Sequence, residues 1–185
     1  MSQHNQVNNE SFKTTMDIGA SKFKQILWYF TNILFIKNGL NVSSGLKIIL
    51  LKLFGAKIGL GVVIKPSINI KYPWKLTIGN YSWIGEDVWI DNLSDVLIGN
   101  NVCISQGALL LCGNHDYKKT TFDLITQPIN LEDGVWIGAK ATVCGGVTCQ
   151  SHAVLCVASV ATKDLDPFGI YRGNPCEKIK TREIM

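Results

Sequence analysis

Arginine is scarce in this chain: Arg172 and Arg182 stand against sixteen lysines, within a net charge of only +4 over 185 residues. A mild charge with lysines spread along the chain argues against a dedicated nucleic-acid surface. Histidine is limited to His4, His115 and His152. A histidine metal site is a poor fit, because the two within the patterned region are 37 residues apart. No apolar run approaches the about 20 residues of a membrane span; the run 26–36 has eleven. No positively charged start leads into an apolar stretch. Residues 1–20, rich in Asn, Gln and Ser, therefore do not read as a signal peptide and are expected to form a loose tail. There is no Gly-x-Ser-x-Gly elbow and no phosphate-binding Gly-rich loop.

What the chain has instead is a period of six. Leu131, Ile137, Val143, Cys149 and Leu155 recur six apart, each followed four residues later by a small residue or Val: Val135, Ala141, Val147, Ala153 and Ser159. Neither a helix nor a continuous strand repeats every six residues. A coil of three short flat faces does, with the first residue of each hexapeptide pointing inward. The period extends backwards through Ile58, Ile64 and Ile70, then Ile78, Ile84 and Ile90, then Ile98, Ile104 and Leu110. These triplets start twenty residues apart, so the early coils carry two residues beyond eighteen. Glycine follows many inward aliphatics, as in Ile78-Gly79 and Ile137-Gly138, and is expected there to let the backbone leave the strand sharply. The fold expected is an all-β, three-sided parallel β-helix over 56–166. The next triplet starts at Leu131 rather than near 118, so about 13 residues leave the barrel as one protruding loop at 112–129.

A helical cap is expected at 21–55. Phe23, Ile26, Leu27, Phe30, Ile33 and Leu34 make one stripe after a capping Ser21, and Leu46, Ile49, Leu50 and Leu53 make a second after Ser43 or Ser44. These stripes are expected to cover the open first coil. Trp28, Tyr29, Phe35 and Ile36 would then leave the first helix apolar nearly all round, a form that could rest on a membrane or a partner subunit. Residues 167–185 read as a C-terminal tail.

Among titratable residues, His115 stands out, between Asn114 and Asp116 at the root of the loop, whereas His152 reads as a surface residue beside a corner. Cys112 is the only thiol near His115. All six cysteines read as free thiols of a reducing compartment, since Cys149 occupies an inward apolar position.

Ile98-Gly99-Asn100-Asn101-Val102, Gly113-Asn114-His115-Asp116, Pro128-Ile129, Val135-Trp136-Ile137-Gly138, Gly145-Gly146-Val147, Ala158-Ser159-Val160 and Gly173-Asn174-Pro175 together resemble the hexapeptide-repeat O-acetyltransferases of the galactoside, maltose and nodulation-factor type. Phe54-Gly55-Ala56-Lys57-Ile58-Gly59, Tyr72-Pro73-Trp74, Trp83-Ile84-Gly85-Glu86 and Ile104-Ser105-Gln106 are similar to the colanic-acid-biosynthesis branch. The resemblance covers about 50–182. It implies a left-handed coil, a homotrimer, and acetyl-CoA as co-substrate in the groove between subunits, with no metal. It also implies a cytoplasmic enzyme, peripheral to the inner membrane face if the first helix touches lipid, that acetylates a sugar hydroxyl of a surface polysaccharide or its precursor.

His115 matches the family's catalytic base, and its imidazole suits removal of a hydroxyl proton as the thioester is attacked. Asp91, where the family often has Asn, with Asn92 and Asn114, would bind the acceptor or orient His115. Trp136 and Ala139 match a wall and a backbone contact for the pantetheine arm, and Val157 matches its continuation towards the nucleotide. Thr162 and Lys163 match contacts towards the adenosine phosphates, with Arg172 and Lys180 as further candidates. The alternatives are the same chemistry on an antibiotic hydroxyl or serine, and a non-catalytic trimeric scaffold.

Overall fold

The computed structural model describes residues 6–12, 14 and 16–185; His4 lies outside them. The six-residue period forms a parallel solenoid with three faces. The first face stacks Lys57–Ile58, Leu76–Ile78, Val96–Ile98, Ile129–Leu131 and Thr148–Cys149. The second stacks Val63–Ile64, Trp83–Ile84, Cys103–Ile104, Trp136–Ile137 and Val154–Leu155, and the third Asn69–Ile70, Trp89–Asp91, Leu109–Leu111, Thr142–Cys144 and Val160–Ala161. Register follows the period. Ile64 pairs with Ile84, Ile84 with Ile104, Ile104 with Ile137 and Ile137 with Leu155, all of them buried. The small residues four places on, among them Ala108, Ala141 and Ala153, are buried too, where the narrow corners leave no room for more. Ile98 pairs directly with Leu131, so the surplus residues loop out without disturbing the stack.

The glycines after the inward aliphatics serve a different purpose from the one expected. A Cβ on Gly79 would lie 2.6 Å from the Gly99 carbonyl carbon, and one on Gly138 2.6 Å from the Val157 nitrogen. Successive coils pass too close for a side chain there. The left-handed corners fall two residues later, at Tyr81, Asp87, Asn101 and Lys140, with φ between 54° and 57°. His152 occupies the equivalent corner of its own coil with φ 61°, its ring stacked on Phe168 at 4.8 Å.

Helix α1 (Lys22–Thr31) continues through a π turn at Asn32–Ile36, and α2 spans Ser44–Leu53; Ser21 and Ser43 cap them as expected. They close the open first coil, but with the opposite faces. Trp28, Ile36, Lys47 and Leu51 are buried, whereas Phe23, Ile26, Leu27, Phe30, Ile33 and Leu34 of the expected α1 stripe, and Leu46, Ile49 and Leu53 of the α2 stripe, are exposed. The reason is hydrogen bonding. The first coil has no coil beneath it, so its backbone groups need partners from the cap. The Trp28 Nε1 donates to the Ile70 carbonyl (3.1 Å), the Ser44 hydroxyl serves both the N–H and the C=O of Ile64 (2.9 Å each), and Lys47 Nζ donates to the carbonyls of Asn41 and Ile64. Side chains that can donate face the coil beside the apolar Ile36 and Leu51, and the other aliphatic ones are left outside.

The described residues at both ends are tied to the solenoid. Among the described residues of 1–20, the Asn8 N–H donates to Thr120 O (2.8 Å), and the carbonyls of Asp17 and Ile18 accept from Lys75 and Trp74. At the other end, Gly169–Gly173 pairs in parallel with Val154–Leu155, and Cys176–Thr181 folds back on it in antiparallel sense, extending the second face. That edge would otherwise carry unpaired backbone groups.

Candidate active site

The protruding segment is an ordered hairpin. Gly113–His115 pairs with Leu124–Thr126, His115 opposite Leu124, and the Gln127 N–H closes the root on Cys112 O at 3.0 Å. It springs from the corner between the third and first faces, where the surplus residues of the earlier coils also fall, in part as the turn Pro73–Lys75. Its tip is tied by Lys119 to Asp123 (3.0 Å), and hydrogen bonds from Thr121 and Lys119 hold the Asp123 carboxyl below the usual range.

The His115 ring stacks on Phe122 (4.3 Å, 6° between planes), with Phe12 of the N-terminal segment tilted against it at 6.0 Å. Its Nδ1 is 2.9 Å from the Phe122 carbonyl oxygen. A carbonyl only accepts, so in the neutral ring Nδ1 carries the hydrogen and Nε2 keeps the lone pair. Phe122 holds a left-handed φ of 49°, uncommon for an aromatic residue, and this turn aims its carbonyl at the ring. The imidazole is therefore fixed in one tautomer, its basic nitrogen without a hydrogen-bond partner among the described residues.

Of the residues expected to assist His115, Asp91 is buried below the hairpin root, its carboxylate 3.9 Å from Lys71 Nζ. Burial pushes its pKa up, and Lys71 opposes the rise. It is the Phe122 carbonyl, not Asp91, that orients the ring. Asn92 is wholly buried, accepting from the Tyr72 N–H (2.9 Å) and donating to the Tyr72 carbonyl (2.6 Å), so both ends of its amide are occupied. Asn114 is exposed and accepts from the His115 N–H at 2.8 Å, bracing the hairpin. Cys112 is buried, its thiol pushed up to about 11 chiefly by burial, a packing residue and not a nucleophile. All six cysteines are free thiols. Among the described residues no cluster of His, Cys, Asp or Glu could hold a metal ion.

A groove runs along the corner between the second and third faces. Its upper part, about 460 Å³, is lined by Trp136, Gly138, Ala139, Cys156 and Val157, and its lower part, about 330 Å³, by Lys65, Trp83, Gly85, Glu86 and Cys103. Ser105 and Gln106 line both parts, and the Trp136 Nε1 donates to the Ser105 hydroxyl at 3.0 Å. Sequence reasoning gave no role to Lys65, Trp83, Glu86, Cys103, Ser105, Gln106 or Phe122. A signal existed for most of the groove: Trp83, Cys103 and Trp136 share one phase of the period and pair in register.

The expected residues thus fall into two groups. Trp136, Ala139 and Val157 lie on the groove, with Arg172 exposed at the end of the strand added above it. His115, Asn114 and Asp91 lie at the far end of the third face, and Thr162 and Lys163 follow the last strand of that face to the same corner. Lys180 sits on the outermost C-terminal strand, away from both groups. One chain carries the groove and the His115 imidazole on opposite edges of one face.

No protein-family model matches the chain. It is 37% identical over 164 residues to WcaF of Escherichia coli K12, a protein assigned to colanic acid biosynthesis as an acetyltransferase, covering 89% of this chain and 90% of WcaF. The chain belongs to the hexapeptide-repeat acetyltransferase family. The galactoside O-acetyltransferase of Escherichia coli is a more distant relative of this acetyltransferase, 27% identical over 134 residues, 71% of this chain and 66% of that one. Among solved structures, a hexapeptide-repeat acetyltransferase of Vibrio cholerae complexed with acetyl coenzyme A shares the fold with a TM-score of 0.79 at 20% identity, covering 90% of this chain and 92% of that one.

Proposed function

We propose that this acetyltransferase moves an acetyl group from acetyl-CoA to a sugar hydroxyl during the biosynthesis of a bacterial surface polysaccharide, as a homotrimer on the cytoplasmic side of the membrane. The polysaccharide class is suggested by the likeness to WcaF, and the donor by the structural relative that holds acetyl coenzyme A. The observation that carries the reading is the His115 imidazole, locked by the Phe122 carbonyl with Nε2 left free. A sugar hydroxyl attacks a thioester only if a base takes its proton as the new bond forms. His115 Nε2 is that base. As the oxygen bonds to the acetyl carbon, the proton passes to Nε2; the carbon–sulfur bond then breaks, and the same proton goes to the departing thiolate.

The separation of groove and base in one chain supports assembly between copies. With the hairpin corner of one subunit against the groove of the next, His115, Thr162 and Lys163 would face Trp136, Ala139 and Val157 across a shared cleft. Trp136 would wall the pantetheine arm, Gly138 and Ala139 would admit it close to the backbone, and Lys163 would meet the nucleotide phosphates. Asp91 and Asn114, below and beside the base, remain candidates for acceptor contact, alongside Trp83, Glu86 and Gln106 of the lower groove.

The test is calorimetric titration of the full chain with acetyl-CoA, followed by mass detection of transfer to sugar acceptors. Saturable binding at one site per chain, weakened in Lys163→Ala, is expected. So is a loss of about 10²- to 10⁴-fold in rate for His115→Ala, with the trimer unchanged by light scattering. Absent binding in a folded trimer would favour the scaffold reading. Transfer by His115→Ala within about tenfold of wild type would remove His115 as the base.

A further inference from the structure

The two cap helices bury Trp28, Ile36 and Leu51 against the coil, and still show a second apolar face to the outside. In α2, Lys47 is fully buried, while Ile49 and Leu53 on the opposite side are 64% and 77% exposed. In α1, Trp28 points to the coil, while Phe23 and Phe30 across the helix are 76% and 55% exposed. A helix on a soluble surface buries its apolar stripe and shows its charged one. Ile33, at the end of the α1 stripe, lines a cavity of about 370 Å³ with Asn69, Ile70 and Trp89, and among the described residues no side chain of the cap lines the groove or pairs with the His115 hairpin.

Charge is divided in the same way. Residues 18–85, which include both helices and the first coil, contain nine lysines and no Asp or Glu, a net of +9. The remainder holds nine Lys or Arg and all fourteen acids, a net of −5. Exposed Lys22, Lys37 and Lys52 lie on or beside the helices. The cap itself, residues 21–55, carries five lysines and no acid, so a second copy would set like charge against like, and a soluble partner of ordinary composition would leave either the lysines or the aliphatics unmatched. A bilayer rich in anionic lipid answers both, with acyl chains for the stripes and phosphates for the lysines.

We infer that the outward face of α1 and α2 docks the protein in the plane of an anionic membrane surface. The helices lie on the bilayer and do not cross it, since among the described residues no helix is long and apolar enough to do so. The inference stands on the cap alone. In the proposed homotrimer the three caps would share one end, and their attachments would reinforce one another.

Co-sedimentation of the full chain with phosphatidylcholine vesicles, with and without phosphatidylglycerol, tests it. Binding is expected only when phosphatidylglycerol is present, and it should fall with added salt. The double variant Phe30→Asp/Ile49→Asp should lose at least roughly tenfold in partitioning, with melting temperature and oligomeric state unchanged. Lys22→Gln and Lys52→Gln should each cost roughly fivefold. Failure of the wild type to sediment with anionic vesicles would overturn the inference. So would binding indifferent to Phe30→Asp/Ile49→Asp, or a concentration-dependent association in solution that the same double variant abolishes, which would make the face a protein interface. Transfer to a soluble acceptor is independent of this face, so either reading can fail without the other.

Discussion

Apolar side chains repeat regularly in both the coils and the cap, and they point in opposite directions. Along the second face Ile64, Ile84, Ile104, Ile137 and Leu155 all end up inside. In α1 and α2 the side chains that repeat at helical spacing end up outside. A coil closes on itself, so an apolar position in its period has nowhere to go but the centre. A helix must find its partner elsewhere, and here the nearest one is an open coil end that takes donors such as Trp28, Ser44 and Lys47 as well as the apolar Ile36 and Leu51. Periodicity identifies an apolar face; only the neighbour decides whether that face is buried.

Substitutions can test that contrast. Ile137→Ala should cost about 3 kcal/mol, lowering the melting temperature by roughly 6–12 °C. Ile49→Ala should cost less than about 0.5 kcal/mol. Equal losses in thermal unfolding would mean that the cap stripe is buried in the assembled protein. The flanks offer a second contrast, between a groove built on regular coils and the proposed base, His115, held by an insertion. Trp136→Ala should weaken acetyl-CoA binding about tenfold, the loss of one well-placed aromatic wall, and leave the rate at saturation near wild type. Phe122→Ala removes the stacked ring but keeps the backbone carbonyl, so the saturated rate should fall about three- to tenfold, the value of one aromatic pair, with donor affinity unchanged. If Phe122→Ala altered donor binding instead, the two flanks would not divide the work as described.

The smallest effect is expected at Asp91. Because burial raises its folded pKa, the group favours the fold most below the ordinary carboxylate pKa and loses that contribution as pH rises through the raised value. Asp91→Asn should therefore gain melting temperature relative to wild type as pH increases from acid to neutral, by a few degrees at most. A difference that shrank over that range would mean that Lys71, and not burial, dominates at this carboxylate.

Much of this was legible in the sequence. The inward positions, the 13 surplus residues, both serine caps and the prominence of His115 follow from local patterns, and a period is a local property. The hairpin within the surplus was not legible, because Gly113–His115 and Leu124–Thr126 are too short to announce a pairing that the barrel corner imposes. Nor was the role of Phe122, which acts through a backbone carbonyl that every residue possesses. The corner glycines were noticed for the wrong reason, since close approach between coils depends on residues of the neighbouring coil, far away in the chain. Asn92 read as a polar residue free to bind sugar, and only the coil beneath it shows that its amide is already in use.

The closed root of the hairpin has a consequence for how such a protein can change. The Cys112 carbonyl and the Gln127 N–H meet at 3.0 Å, and Ile98 pairs with Leu131 as if nothing lay between. The barrel is therefore indifferent to what leaves and returns at that point. A segment of different length or composition could be grafted between Cys112 and Gln127 while the groove on the other flank kept its shape. The hairpin on one flank and the groove on the other could then vary independently on one frame.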